Sequence, residues 1–363
     1  MGTSYKRLVI KIGSNVLAGT DGLPDEGRML RLTEEIASLK KQGREIVVVS
    51  SGAVAAGRSM VKVSPAFDEV AARQLLASVG QVQLIRRYAD LFKAKDVICS
   101  QVLVTKEDFR DKLHYKNMLS CFEILLDHDI IPIVNENDVI SVTELMFTDN
   151  DELAGLIASM IKADALIILT NVDGLYSGDP AEPGSVLLEE ILPTETGLSV
   201  YINSKKSDFG RGGMLTKCRM AIKVARLGIN VHVASGIRDH ILHAILHKEV
   251  PHTHFLPLKD TSASKRRIAH SDDYAKGSVH INEGAKAALL GPKASSLLPV
   301  GIVSISGDFG KNDIIMIKDQ EGAFVGLGVA KYGSETAKSL LGKKQQPPLV
   351  HYDYLYLNQT KPD

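Results

Sequence analysis

The chain predicts an α/β protein: a three-layer sandwich with a mainly parallel central sheet, followed by a small β-barrel-like C-terminal domain. Three observations predict it. Through about residue 235, short β-branched runs alternate with long amphipathic stretches. Those runs are apolar at nearly every position, as strands covered by helices on both faces require. From residue 277 onward the strands become short and glycine-punctuated.

Taken in order, residues 8–10, 46–49, 97–99, 130–134, 165–169 and 229–233 read as buried strands. Between them, residues 27–42, 69–93, 115–128, 152–163 and 214–227 carry helical periodicity. Gly43 after Lys40-Lys41-Gln42 is ordinary C-terminal punctuation. Residues 251–275 are mixed and polar, with the basic run Lys265-Arg266-Arg267, and read as an irregular or linking segment. Tail strands are expected at 278–281, 302–305, 314–317 and 323–329. The boundaries that follow are a first domain over 1–258, a linker over 259–274 and a second domain over 275–363. In sheets of this kind ligands sit at the carboxyl ends of the strands, and most of the polar motifs below follow directly on a predicted strand.

A chain of 363 residues can bury two cores. Basic and acidic residues balance at 43 each, so the whole chain carries no polyanion-binding signal. Residues 1–7 lead into the first strand without a signal-peptide stretch, and no apolar run approaches a membrane span, so a cytoplasmic protein is expected. Cys99, Cys121 and Cys218 are odd in number and widely spaced, which suggests neither a disulfide framework nor a zinc site. Cys218 reads as a small core residue despite its neighbour Lys217. The histidines at 240, 243, 247, 252 and 254 lack an accompanying Cys or Glu ligand pattern and are not read as a metal site.

Two lysines far apart in sequence are each tied to a glycine-rich turn: Lys11 in Val9-Ile10-Lys11-Ile12-Gly13-Ser14 and Lys217 in Gly210-Arg211-Gly212-Gly213-Met214-Leu215-Thr216-Lys217. Glycines let backbone N–H groups approach phosphate oxygens, and lysine adds a compact mobile charge suited to a polyphosphate. A helix starting near Met214 would add the positive end of its dipole. The P-loop spacing is absent. After the second strand, Ser50-Ser51-Gly52-Ala53-Val54-Ala55-Ala56-Gly57 either binds a carboxylate through Ser51 or simply allows close packing. Asn135-Glu136-Asn137-Asp138 follows the fourth strand and suits an ammonium or carboxylate ligand. Thr148-Asp149-Asn150-Asp151 precedes a helix; capping accounts for one of these residues but not for three in a row. Thr170-Asn171-Val172-Asp173-Gly174-Leu175-Tyr176 stands where a nucleotide base and ribose would lie.

These motifs, with Gln74-Leu75-Leu76-Ala77-Ser78-Val79-Gly80-Gln81, resemble the glutamate-phosphorylating members of the amino acid kinase family over nearly the whole chain. The tail, with Asn282-Glu283-Gly284-Ala285 and residues 295–302, is similar to a PUA domain. The resemblance implies ATP-dependent phosphorylation of the L-glutamate γ-carboxylate to L-glutamyl 5-phosphate, the first step of proline biosynthesis. It gives Lys11, Lys217 and Asp151 as catalytic residues, the aspartate orienting the lysines. Lys11, Thr170, Asn171, Arg211, Gly212, Gly213, Met214, Leu215, Thr216 and Lys217 would hold ATP. Ser51, Asp138, Asn150 and Asn135 would hold glutamate. Mg²⁺ would bridge phosphate oxygens largely through water, with no protein metal ligand assigned. The resemblance further implies a homo-oligomer (dimer or tetramer), proline as feedback inhibitor and glutamyl-phosphate reductase as pathway partner. Asn171 departs from the Asp of many members, Arg211 from a common Thr, and Thr148 from a common Gly. Competing expectations are another enzyme of the family, acting on a different carboxylate, a carbamate or a nucleoside monophosphate, and an RNA-binding or RNA-modifying protein acting through the tail. From Lys276 onward ten lysines, no arginine and eight acidic residues leave that tail without a strong basic face for RNA.

Overall fold

Odd and even positions of the central strands face opposite sides of one sheet, and this alternation builds two separate cores. A computed structural model describes residues 5–19, 23–141, 147, 149–180, 182–194, 214–258, 268, 275–291 and 293–357. The chain divides into two units, Met1–Lys259 and Asp260–Asp363.

The strands of the first unit are β1 (Arg7–Ile12), β2 (Glu45–Ser50), β3 (Cys99–Val104), β4 (Ile131–Glu136), β5 (Ala165–Thr170), β6 (Glu190–Ile191), β7 (Asn230–Ser235) and β8 (Thr253–Phe255). They pair in the order β3-β4-β2-β1-β5-β7-β8-β6. The first six in that order are mutually parallel; β8 runs antiparallel to β7, and β6 runs parallel to β8. The helices are α1 (Ser14–Leu17), α2 (Glu26–Lys41), α3 (Ala53–Arg58), α4 (Glu69–Lys93), α5 (Lys106–Arg110), α6 (Lys112–Asp127), α7 (Asn150–Met160), α8 (Met214–Ala225) and α9 (Ile241–His247). Val9, Val47, Val49, Leu166 and Ile168 form one core with Leu153 and Ile157 of α7 and Ala221 and Val224 of α8. Leu8, Ile10, Ile46, Val48 and Ile167 form the other with Ile36 of α2, Leu84 and Tyr88 of α4 and Ile241 of α9. The chain leaves β1 toward β2 on one side and β5 toward β7 on the other. The β1–β5 junction is therefore a topological switch point, where open sheets of this type bind ligands.

Where the sequence expectation fails, the edge of the sheet explains it. The third strand begins at Cys99 and not at residue 97; Val97 instead donates its N–H to Phe92 O at the end of α4. β3 is an edge strand with Gln101 and Leu103 exposed, so it lacks the unbroken apolar run of its neighbours. Helix α6 starts at Lys112, earlier than its apolar pattern, because the Asp111 side chain accepts the N–H groups of Leu113 and His114. The segment expected to be irregular from 251 contains β8. Four short helices, α1, α3, α5 and α9, are too brief to carry a periodic signal.

Helices α3 and α4 touch backbone to backbone. A Cβ on Gly57 would lie 2.0 Å from Leu76 O, and one on Gly80 would lie 1.8 Å from Ala53 O. The small-residue run after β2 thus serves packing, while Gly52, at φ +109°, turns the chain into α3.

The second unit holds a five-stranded sheet of β9 (Gly277–Ile281), β10 (Ile302–Gly307), β11 (Ile314–Lys318), β12 (Phe324–Val329) and β13 (Leu355–Leu357). Their order is β10-β9-β11-β12-β13, with only β9 and β11 parallel. Helices α10 (Glu283–Leu290) and α11 (Ser334–Leu340) accompany it over a core of Val279, Ile281, Ile315, Ile317 and Leu355. Among the described residues no helix is long and apolar enough to cross a membrane.

Three histidines cluster where β7 meets β8. The His232 and His254 rings stack at 4.2 Å, and His232 Nδ1 lies 3.0 Å from His252 Nε2. The Tyr5 hydroxyl lies 3.1 Å from His232 Nε2; burial, with Asp164 nearby, pushes that phenol up to about 12, so it stays protonated. Burial, then His254, His252 and Lys248, hold His232 well below the usual histidine range. Burial, with the same His252 and Lys248, brings His254 down to about 4. The folded state therefore binds these protons less readily than the unfolded chain. The cluster's stability is fully present above about pH 6.5 and is lost as pH falls toward 4. Urea unfolding of the parent should lose at least about 1 kcal/mol across that window through these groups, and His232→Gln should reduce the loss.

Candidate active site

The acidic run at the start of α7 divides three tasks among three consecutive residues. Asp149 is the N-cap, its side chain accepting the N–H groups of Asp151 and Glu152 at 2.9 and 3.0 Å. Its other oxygen accepts from the Thr216 hydroxyl at 3.2 Å, tying the start of α8 to the start of α7. Asn150 faces the ends of β2 and β4: its Nδ2 donates to Ser51 Oγ at 2.9 Å and to Asn135 Oδ1 at 3.0 Å. Asp151 is fully buried between two ammonium groups, with Lys11 Nζ 2.6 Å from Oδ1 and Lys217 Nζ 2.5 Å from Oδ2.

The electrostatics follow from that geometry. Burial alone would raise the Asp151 carboxyl, but the Lys11 and Lys217 charges and hydrogen bonds outweigh it and bring it to about 2. Burial, then the Asp151 charge, raise the neighbouring Asp149. Lys11 is only 4% exposed, so its charge stands in a low-dielectric setting at the end of β1. Gly13, one residue beyond β1, donates its N–H to Leu169 O at 3.2 Å across the switch point. A Cβ there would come 3.2 Å from Leu169 O, tighter than ordinary contact, and would lie beside Lys11 Nζ at 3.5 Å. Cys218, next to Lys217, is buried, and burial pushes its thiol up to about 12, as befits a core residue.

Most of the sequence-predicted residues that are described converge on this edge. Lys11, Lys217 and Asp151 meet directly, as do Ser51, Asn135 and Asn150. Thr170 ends β5 and donates to Asn171 Oδ1 at 3.3 Å. Asn171 lines a cavity of about 400 Å³ at the ends of β5 and β7, with Asp173, Tyr176, Ser235 and Arg238. Arg238 pairs bidentately with Asp173 at 2.7 Å on both oxygens. Met214, Leu215 and Thr216 open α8. Arg211, Gly212, Gly213 and Thr148 lie outside the described residues. Asp138 is held by a residue the sequence reading missed: Arg73 of α4 donates to its Oδ1 through Nε at 2.8 Å. Gln81, two turns on, accepts from Asn135 Nδ2 at 2.9 Å. The signal for both was the spacing of Arg73, Ala77 and Gln81 along one helix face.

A parallel α/β sheet thus brings two lysines onto one buried carboxylate at its switch point, an arrangement suited to an anionic ligand. The family model for the amino acid kinase family matches residues 6–235, and that for the PUA domain matches 277–348. The chain belongs to the amino acid kinase family, whose kinases use ATP. It is 50% identical to the glutamate 5-kinase of Bacteroides thetaiotaomicron over 98% of this chain and 100% of that one. It is 49% identical to the glutamate 5-kinase of Chlorobaculum tepidum over 97% of this chain and 98% of that one. Among solved structures, the carbamate kinase of Giardia lamblia bound to AMP-PNP shares the fold, with a TM-score of 0.51 and 20% identity over 70% of this chain and 99% of that one.

Removing the central charge should be costly. Asp151→Asn leaves two ammonium groups facing one another without a counter-charge and should destabilise the protein by about 3 to 5 kcal/mol in urea unfolding. The parent's contribution from Asp151 is present above about pH 4 and is lost as pH falls toward 2, because the folded carboxyl is lowered. That acid limb should flatten in the variant.

Proposed function

We propose that the chain is a glutamate 5-kinase, transferring the γ-phosphoryl group of ATP to the γ-carboxylate of L-glutamate to give L-glutamyl 5-phosphate and ADP. The observation that carries this reading is the Lys11–Asp151–Lys217 triad one residue from the Asn150–Ser51–Asn135 network. The first set suits charge developing on a transferring phosphoryl group, and the second suits a polar carboxylate substrate. The near-full-length identity to glutamate 5-kinases supports the same substrate.

The chemistry asks little of the protein beyond placement. A carboxylate is already ionised at neutral pH, so no general base is needed, and orientation with fixed charge lowers the barrier. Lys11 and Lys217 neutralise the phosphoryl oxygens, and Asp151 keeps both ammonium groups in position before substrate arrives. Lys11, Thr170, Asn171 and residues 211–217 hold the nucleotide. Ser51, Asn135, Asp138 and Asn150 hold glutamate. Mg²⁺ bound with ATP supplies further neutralisation of phosphate oxygens. Asp149 and Asp151 already accept from lysines, Thr216 and two amides, which suits an ion held by phosphate and water. A homo-oligomer (dimer or tetramer) in the cytoplasm, inhibited by proline and followed by glutamyl-phosphate reductase, accompanies this reading on the strength of the sequence resemblance.

ADP release measured over a panel of amino acids and carboxylates tests it. L-Glutamate should be used and glutarate, which lacks the amine, should be rejected, because Asp138 would lose its ammonium partner. Comparable turnover of glutarate removes Asp138 from the substrate site. Lys217→Ala should lower kcat by about 100-fold or more with a smaller change in KM for glutamate, as charge stabilisation concentrated in the transition state requires.

A further inference from the structure

The Arg73–Asp138 pair is unevenly used. Both Nε and Nη2 of Arg73 reach the same oxygen, Asp138 Oδ1, at 2.8 and 2.6 Å. Nη2 also lies 3.4 Å from Oε2 of the buried Glu136, whose Oε1 accepts the Phe147 N–H at 2.9 Å. Among the described residues, Arg73 Nη1 and Asp138 Oδ2 make no hydrogen bond. Asp138 is 8% exposed, while the Arg73 side chain is about a quarter exposed at 26%. A buried carboxylate and a half-buried guanidinium therefore sit side by side, each with one polar atom left unbonded among the described residues.

We propose that Arg73 receives the α-carboxylate of glutamate while Asp138 holds its α-ammonium, so that the pair together recognises the amino-acid zwitterion. This rests on the glutamate reading above. An α-amino acid carries opposite charges on one carbon, so a partly buried site needs two opposite charges side by side to match both. Arg73 and Asp138 are such a pair, and each neutralises the other's burial before substrate arrives. Bound substrate completes an alternating ring of four charges: ammonium, Asp138, Arg73 and carboxylate. Glu136 accepts from Nη2 at 3.4 Å, a second carboxylate contact for that nitrogen, so Nη1 is left for the ligand. The planar fork makes two aspartate contacts and still offers a third nitrogen, which a lysine ammonium at this position could not reproduce.

The test compares L-glutamate with L-isoglutamine, in which the α-carboxylate is a neutral carboxamide, using full-length parent, Arg73→Gln and Arg73→Lys. The parent should prefer glutamate by about 100-fold in kcat/KM. Arg73→Gln should shrink that preference at least tenfold, through KM for glutamate with KM for ATP unchanged, and Arg73→Lys should restore part of it. A residue that only props Asp138 would instead lower both substrates by one factor, and an unchanged preference overturns the proposal. Should the glutamine variant fail to fold, the lysine variant decides alone: a narrowed preference supports the proposal and an unchanged one overturns it. A parent that turns over glutamate without preferring it to isoglutamine also overturns the role of Arg73, whereas a parent that releases no ADP with glutamate overturns the substrate reading itself.

Discussion

A single carboxylate, that of Asp151, holds the chemistry of the first unit together. Lysine ammonium groups repel one another, and Lys11 and Lys217 come from opposite ends of the domain's sequence, one on β1 and one on α8. Their approach is tolerable only because a fully buried acid lies between them. Asp151 is itself placed by the capping of α7, so the helix start, the ion pairs and the position of α8 form one coupled unit. The neighbouring Asp149 contributes to all three through two backbone amides and Thr216.

The sheet supplies the rest of the arrangement by its topology. Polar residues that follow β1, β2, β4, β5 and β7 reach one edge because the strands run parallel, and buried apolar residues above and below fix their height. The two lysines paired with Asp151 and the amide network share that edge. Asn150 and Asp151 are consecutive residues serving the two halves, so the spacing between the halves is set by one peptide unit.

Much of this was legible in the residues. Strands buried on both faces announce themselves as continuous apolar runs, which is why β1, β2, β4, β5 and β7 were found within a residue or two while the half-exposed edge strand β3 was misplaced. The excess of polar residues at 149–151 over what capping needs marks side chains that the structure brings to Ser51, Asn135, Lys11 and Lys217. Arg73 and Gln81 share a helix face by spacing, but that spacing does not say what the face meets. Both sit within an ordinary amphipathic helix, and their role appears only when α4 is packed beside the end of β4. The histidine cluster was equally hidden, since His232 joins His252 and His254 only through the antiparallel pairing of β7 with β8, a strand too short to be read.

The contact between Gly57 and Gly80 gives α4 a spacer made of main chain alone. A side chain in that place would have rotamers and could yield by small amounts; peptide groups in direct contact cannot. The helix carrying Arg73 and Gln81 is thereby gauged against the segment leaving β2, which also presents Ser51. The width of the polar cleft becomes a rigid dimension of the fold. Selectivity among acids of different chain length would then rest on a fixed ruler, set by two glycines in the contact between α3 and α4.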